Sequence, residues 1–183
     1  MRGGRREAGT KLGEKARERL RRAHQLATDG DHGAAASELG AMAEIARNRS
    51  LHRIAVHMGT RGATQAAKAG QFDQAAELTR AAIEDAKADG DKPRTARAFG
   101  RVLRALKAAD QGDLASTLAG EIRTGTGISA KVEEGQPAAV NRAMHRRLPK
   151  ACPTCGSKVD AAAVSFNEDA SVDCPICGAV LKG

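Results

Sequence analysis

Two short cysteine motifs near the end of the chain constrain its fold more than any other feature. Cys152-Pro153-Thr154-Cys155-Gly156 is answered by Cys174-Pro175-Ile176-Cys177-Gly178, with eighteen residues between the inner cysteines. Proline fixes φ ahead of each turn, and the glycine after the second cysteine admits positive φ, so backbone amides can turn toward the sulfurs. Four thiolates at this spacing match a closed tetrahedral zinc site. They are the only four cysteines in the chain, so none is left over. The alternatives are two disulfides or inert buried thiols.

These residues, Cys152, Cys155, Cys174 and Cys177 with their proline and glycine neighbours, resemble the zinc-ribbon family of rubredoxin-like knuckle domains. The resemblance covers residues 151–183. It implies two knuckles on short β-hairpins and one structural Zn2+ held by the four cysteines. Iron is the second metal to weigh, because rubredoxins use similar knuckles for electron transfer. Those proteins have a longer insert and several aromatics around the metal, and this segment has one Phe. The intervening residues read as a strand at 163–166, a polar turn at Asn167-Glu168-Asp169 and a return strand at 170–173. Val159 follows Cys155 by four residues and Leu181 follows Cys177 by four, so they are equivalent apolar residues of the two knuckles. With Val164 and Phe166 they make a minimal core. A unit this small depends on its metal.

The rest of the chain has a different composition. Apolar residues are 41% of the 183, but much of that is Ala, and aromatics are only 2% with no Trp or Tyr. This predicts close-packed helices with small interfaces in place of a bulky core. No run approaches the roughly twenty apolar residues of a membrane span. The charged start, Met1-Arg2-Gly3-Gly4-Arg5-Arg6-Glu7, carries no apolar region of a secretion signal. With the cysteines arranged as a metal site, a reducing cytoplasm is the expected compartment.

The net charge of +8 is uneven. Residues 1–22 carry +6, residues 23–130 carry +1, residues 131–150 carry +3, and residues 151–183 carry −2. The positive charge therefore lies outside the cysteine module. A ribbon that bound nucleic acid by itself would be basic, because phosphate neutralisation supplies most of that affinity.

Helical periodicity begins at Thr10. The first helix carries Leu12, Ala16, Leu20, Ala23 and Ala27, and Asp29-Gly30-Asp31 closes it and caps the next. The second runs to about Asn48 on Ala35, Leu39, Met42, Ile45 and Ala46. Ser50 is read as the N-cap of a third, which runs on Leu51, Ile54, Ala55, Met58 and Ala66 and ends near Gly70. The fourth starts at Gln71 or Phe72 and uses Ala75, Leu78, Thr79, Ala82, Ile83 and Ala86. After Asp89-Gly90-Asp91, Pro93 opens a fifth on Ala96, Phe99, Leu103 and Leu106. A sixth covers Leu114 to Arg123.

Gly30, Gly70 and Asp110 are evenly spaced at forty residues, and each precedes a helix with a similar opening. That repetition predicts three stacked helical hairpins at 10–48, 50–89 and 92–123. Gly70 to Ala82 resembles the second half of a tetratricopeptide (TPR) repeat, with Ala75 and Ala82 as its small packing residues. The first-helix aromatics of that family are missing, and forty residues exceed its usual thirty-four. A simple antiparallel bundle is the competing architecture.

The domain reading is then a basic tail at 1–9, a hairpin domain at 10–123, a linker at 124–150, where glycines such as Gly125 and β-branched residues break the helical period, and a zinc ribbon at 151–183. Within the linker, Pro137 opens a short basic amphipathic helix of about 137–148, with Val140, Met144 and Leu148 on one face. The fold class is mainly α: about three antiparallel TPR-like hairpins followed by a small β zinc ribbon.

No catalytic motif is present: no GxxxxGK[ST], GxGxxG, HExxH or GxSxG. His24, His32, His52, His57 and His145 form no ligand or triad spacing and read as surface or interface histidines. A zinc with four cysteine ligands has no open position for water activation. The expectation is a non-catalytic zinc-binding adaptor for a protein partner. The alternative is a transcription- or translation-related factor that meets nucleic acid through Arg2–Arg22 and Arg142–Lys150. Partner identity and oligomeric state have no signature in these residues.

Overall fold

The computed structural model describes residues 14–89, 92–129, 148–153, 159, 172–174 and 180–181. It is mainly helical: α1 (Glu14–Thr28), α2 (His32–Asn48), α3 (His52–Lys68), α4 (Phe72–Lys87), α5 (Lys92–Ala108) and α6 (Gly112–Thr126), then β1 (Val172–Asp173) and β2 (Val180–Leu181). Two compact units divide the chain, one of residues 22–134 and one combining 1–21 with 135–183. The division falls within α1. The basic tail, the 137–147 part of the short helix and the 163–171 hairpin residues lie outside the described residues.

The connections of the helical unit follow one recipe at a finer interval than forty residues. Gly30, Ser50, Gly70 and Asp110 all adopt positive φ, at 87°, 55°, 74° and 59°. In each case the next N–H reaches back to the carbonyl five residues earlier: Asp31 to Leu26, Leu51 to Ala46, Gln71 to Ala66 and Gln111 to Leu106, all at 2.9 Å. That is the left-handed helix stop that satisfies orphan terminal carbonyls. The residue after each stop has φ between −79° and −99° and ψ between 52° and 69°, and the next helix begins immediately. The chain therefore turns in three residues, and the underlying repeat is one helix per twenty.

This recipe corrects one assignment. Ser50 does not cap α3. It is the left-handed residue that ends α2, and the N-cap is Leu51, with no side-chain hydrogen bond. Among the described N-caps, only Asp31 caps through its side chain, accepting from the Ala34 N–H at 3.0 Å.

The register also governs packing. Ala35, Ala55, Ala75, Thr95 and Ala115 occupy the same place in five successive helices, and all are buried. Small residues there let each helix start close against its neighbour. α3 is the most enclosed helix, packed against α2, α4 and α5. Two interior glycines permit this. A Cβ on Gly62 would stand 3.3 Å from the Ala36 carbonyl and 3.4 Å from the Gly40 nitrogen of α2, and one on Gly59 would meet Ala82 Cβ of α4 at 3.3 Å. The larger apolar side chains gather at the other end, where Phe99, Val102, Leu103 and Leu106 of α5 meet Leu118 and Ile122 of α6. Two expected core residues are exposed instead: Ile45 and Leu51, at 42% and 44%.

α6 continues through Thr126, beyond the Arg123 that the sequence suggests. Gly125 is not a breaker here. A Cβ at that position would lie 2.7 Å from Ile83 Cγ2, so glycine is needed for α6 to pass α4. The Thr126 hydroxyl donates to the Ile122 carbonyl at 2.6 Å, and the helix stops at Gly127 with φ of 68°.

Helices also pack on their second neighbours, α3 with α5 and α4 with α6. Within residues 22–134, α3 and α5 form one layer and α2, α4 and α6 the other. Among the described residues, no helix is long and apolar enough to cross a membrane.

Candidate functional site

Of the four predicted ligands, Cys152 and Cys174 are described and both are 1% exposed. Cys155 and Cys177 lie outside the described residues. The backbone around the two motifs has matching closures. Val159 N–H donates to the Lys150 carbonyl at 3.0 Å, and Val172 pairs with Leu181 in the antiparallel β1–β2 ladder. Lys150 and Val172 each stand two residues before the first cysteine of a motif. Val159 and Leu181 each stand four after the second, and both are buried. Each motif is thus flanked by a backbone closure between the same two positions. Among the described residues, no group of three or more His, Cys, Asp or Glu side chains is placed to hold a metal.

The helical unit carries a second set of features. α3 has Arg53, Arg61 and Lys68 with no acidic residue, and α5 has Lys92, Arg94, Arg97, Arg101, Arg104 and Lys107 with none. The even helices have the opposite balance. α2, α4 and α6 carry eight acidic residues against four basic ones. The near-neutral total of residues 23–130 thus combines +9 on α3 and α5, −4 on α2, α4 and α6, and −4 on the connections between helices. Sequence reading missed this because charge was summed along the chain, whereas packing sorts it by helix parity.

The even layer is joined by its own ion pairs. Arg47 of α2 donates to Asp85 of α4, Nε to Oδ2 at 3.0 Å and Nη2 to Oδ2 at 2.9 Å. Asp85 is 3% exposed, so this is a buried carboxylate gripped by a half-exposed guanidinium. His52 Nδ1 lies 3.8 Å from Asp85 Oδ1. Arg80 of α4 pairs in the same forked manner with Glu121 of α6, at 2.9 and 3.1 Å. Between α2 and α4 lies a cleft of about 340 Å3 lined by Ser37, Gly40, Glu44, Gln74, Glu77 and Leu78 among others.

On the odd layer, helical spacing puts Arg94, Arg97, Arg101 and Arg104 in one stripe of α5, on the side opposite its buried residues. Arg53, His57, Arg61 and Lys68 fall on one face of α3 by the same spacing, with His57 buried among them. Like charges three or four residues apart oppose helix formation by a few tenths of a kcal/mol each, so the α5 stripe costs about 1 kcal/mol. His57 is buried, not a surface residue, and its Nε2 has no hydrogen-bond partner. Burial, then the guanidiniums of Arg61, Arg101 and Arg94, hold its pKa well below the usual histidine range. A neutral imidazole thus sits under a cationic surface.

No family model, curated protein or solved structure matches this chain.

Proposed function

We propose that the chain is a non-catalytic binding protein: a TPR-like helical array that presents its layered faces to a protein partner, followed by a zinc ribbon. The observation that carries this reading is the strict twenty-residue register of stops and small buried residues, which builds extended faces and no enclosed pocket of catalytic groups among the described residues. In the ribbon, Cys152, Cys155, Cys174 and Cys177 hold one structural Zn2+. The chemistry of that donor set and the matched closures at Lys150/Val159 and Val172/Leu181 support it. Bound zinc would supply folding energy to the small unit and no open coordination position.

Metal analysis of the full chain tests the ribbon. About one zinc per chain is expected, lost in the double variant Cys174→Ser and Cys177→Ser while helical circular dichroism persists. Iron, or no metal in freshly reduced protein, overturns it. The adaptor reading is tested by affinity capture with tagged full-length protein. Specific partners should disappear when face residues of α3 and α5 are changed together with those of the α2–α4 cleft.

The nine cations of α3 and α5, with no acid among them, favour a second reading as a nucleic-acid-associated factor. It predicts salt-sensitive RNA or duplex DNA binding in a filter titration. Absence of such binding at low ionic strength removes it.

A further inference from the structure

We propose that the α3–α5 seam is the docking face for a short acidic segment of the protein partner, a Glu/Asp-rich peptide lying along the two arginine stripes. This rests on the adaptor reading and adds the chemistry of what is bound. Of the nine basic side chains on these two packed helices, seven fall on the stripes, and neither helix carries a carboxylate. Arg53, Lys68, Arg97 and Arg104 are exposed, while Arg61, Arg94 and Arg101 are half-buried and already make another polar or electrostatic interaction. Guanidinium forks suit planar carboxylates, and charge-assisted pairs at a partly desolvated seam are stronger than at an open surface. His57 lies buried beneath this seam, near Arg61, Arg101 and Arg94. Its buried Nε2 has no partner, although buried ring nitrogens ordinarily find one.

Two observations select a peptide over nucleic acid. The only Phe, Tyr or Trp on either helix, Phe99, is fully buried, so neither stripe offers such a ring to stack on bases. The adjoining even layer is acidic and would repel a long polyanion extending past the seam, whereas a short segment stays within it. From Arg94 to Arg104 the α5 stripe spans about 15 Å, the length of about five residues of extended peptide.

The test is a fluorescence-anisotropy titration of the zinc-loaded full chain with a labelled peptide of alternating Glu and Ser. Controls are its Gln counterpart, a single-stranded RNA and a duplex DNA of matched charge. Binding of the Glu peptide alone is expected, weakening about tenfold in the variant Arg97→Glu/Arg104→Glu with its circular dichroism unchanged. Arg123→Glu on α6 makes the same kind of charge change in the even layer and should leave affinity within about twofold. In the wild type, the His57 ring titration followed by NMR should move upward when the peptide is saturating, because carboxylates offset the guanidinium field.

No peptide binding, an equal loss with Arg123→Glu, or tighter binding of either nucleic acid overturns the proposal. Affinity capture separates the two levels. If Arg97→Glu/Arg104→Glu still recovers the wild-type partners, the adaptor reading stands and this docking face does not.

Discussion

The close packing of α3 makes an ordinary substitution change sign with position. In a helix interior, Gly→Ala stabilises by about 1 kcal/mol through backbone entropy alone. At Gly120 of α6 an added Cβ meets nothing within 4 Å, so Gly120→Ala should deliver that full gain. At Gly62 the same methyl would stand 3.1 Å from Leu78 Cδ1, 3.3 Å from the Ala36 carbonyl oxygen and 3.4 Å from the Gly40 nitrogen. Carbon contacts are comfortable at about 3.5–4.0 Å. The Leu78 methyl can rotate aside, but the Ala36 and Gly40 atoms are α2 backbone and move only if the helix moves. Overpacking of this kind costs about 1–3 kcal/mol, so Gly62→Ala should lose a net ~1 kcal/mol. The two variants should therefore differ by about 2 kcal/mol, or about 8 °C in Tm for a unit of this size. Gly59→Ala, whose nearest contact is the Ala82 methyl at 3.3 Å, should fall between them. Urea melts of the full chain followed at 222 nm give the comparison. If Gly62→Ala stabilises as much as Gly120→Ala, the α2–α3 approach is not as close as argued and the reasoning fails.

Other outcomes follow from the charged groups and the core. Arg47→Leu strands a carboxylate that is 3% exposed and should cost about 3 kcal/mol, whereas Asp85→Asn leaves a half-exposed guanidinium that water can reach and should cost about 1 kcal/mol. Equal costs in chemical denaturation would show that Asp85 is not effectively buried. For His57, the folded pKa is lowered, so the unfolded chain takes up its proton first on acidification. Stability is thus fully present above about pH 6.5 and falls as pH drops below it toward the lowered folded value. His57→Met should lose less stability than wild type between about pH 7.5 and pH 5.5, with Arg61, Arg94 and Arg101 left in place. An identical pH slope in both proteins would remove that role. Phe99→Ala empties the largest fully buried side chain of the helical unit and should cost about 3–5 kcal/mol. A cost below 1 kcal/mol in urea denaturation would mean that the α5–α6 core collapses around the gap.

Much of the helical fold was readable in the residues. Ala and Leu recurring at helical steps located all six helices, because burying one face imposes a short-range pattern on the sequence. Gly30 and Gly70 marked stops because glycine is the residue that takes positive φ without strain. Ser50 hid the shorter repeat by looking like a cap, since the same short polar side chain that begins helices also tolerates the left-handed stop. Gly125 misled for a related reason. Glycine marks both a chain break and a close crossing, and only the nearness of Ile83 tells the two apart.

The sequence by itself determined the helical class, the order of the helices and the paired cysteine motifs, because propensity, periodicity and ligand spacing act over a few residues. Tertiary structure alone decided which charges share a surface. Arg47 and Asp85 are thirty-eight residues apart in the chain, and they meet only because α2 and α4 adjoin. The seam of Arg61, Arg94 and Arg101 exists because α3 packs beside α5. Helix stacking exchanges neighbours in sequence for neighbours in space, and electrostatics responds only to the latter.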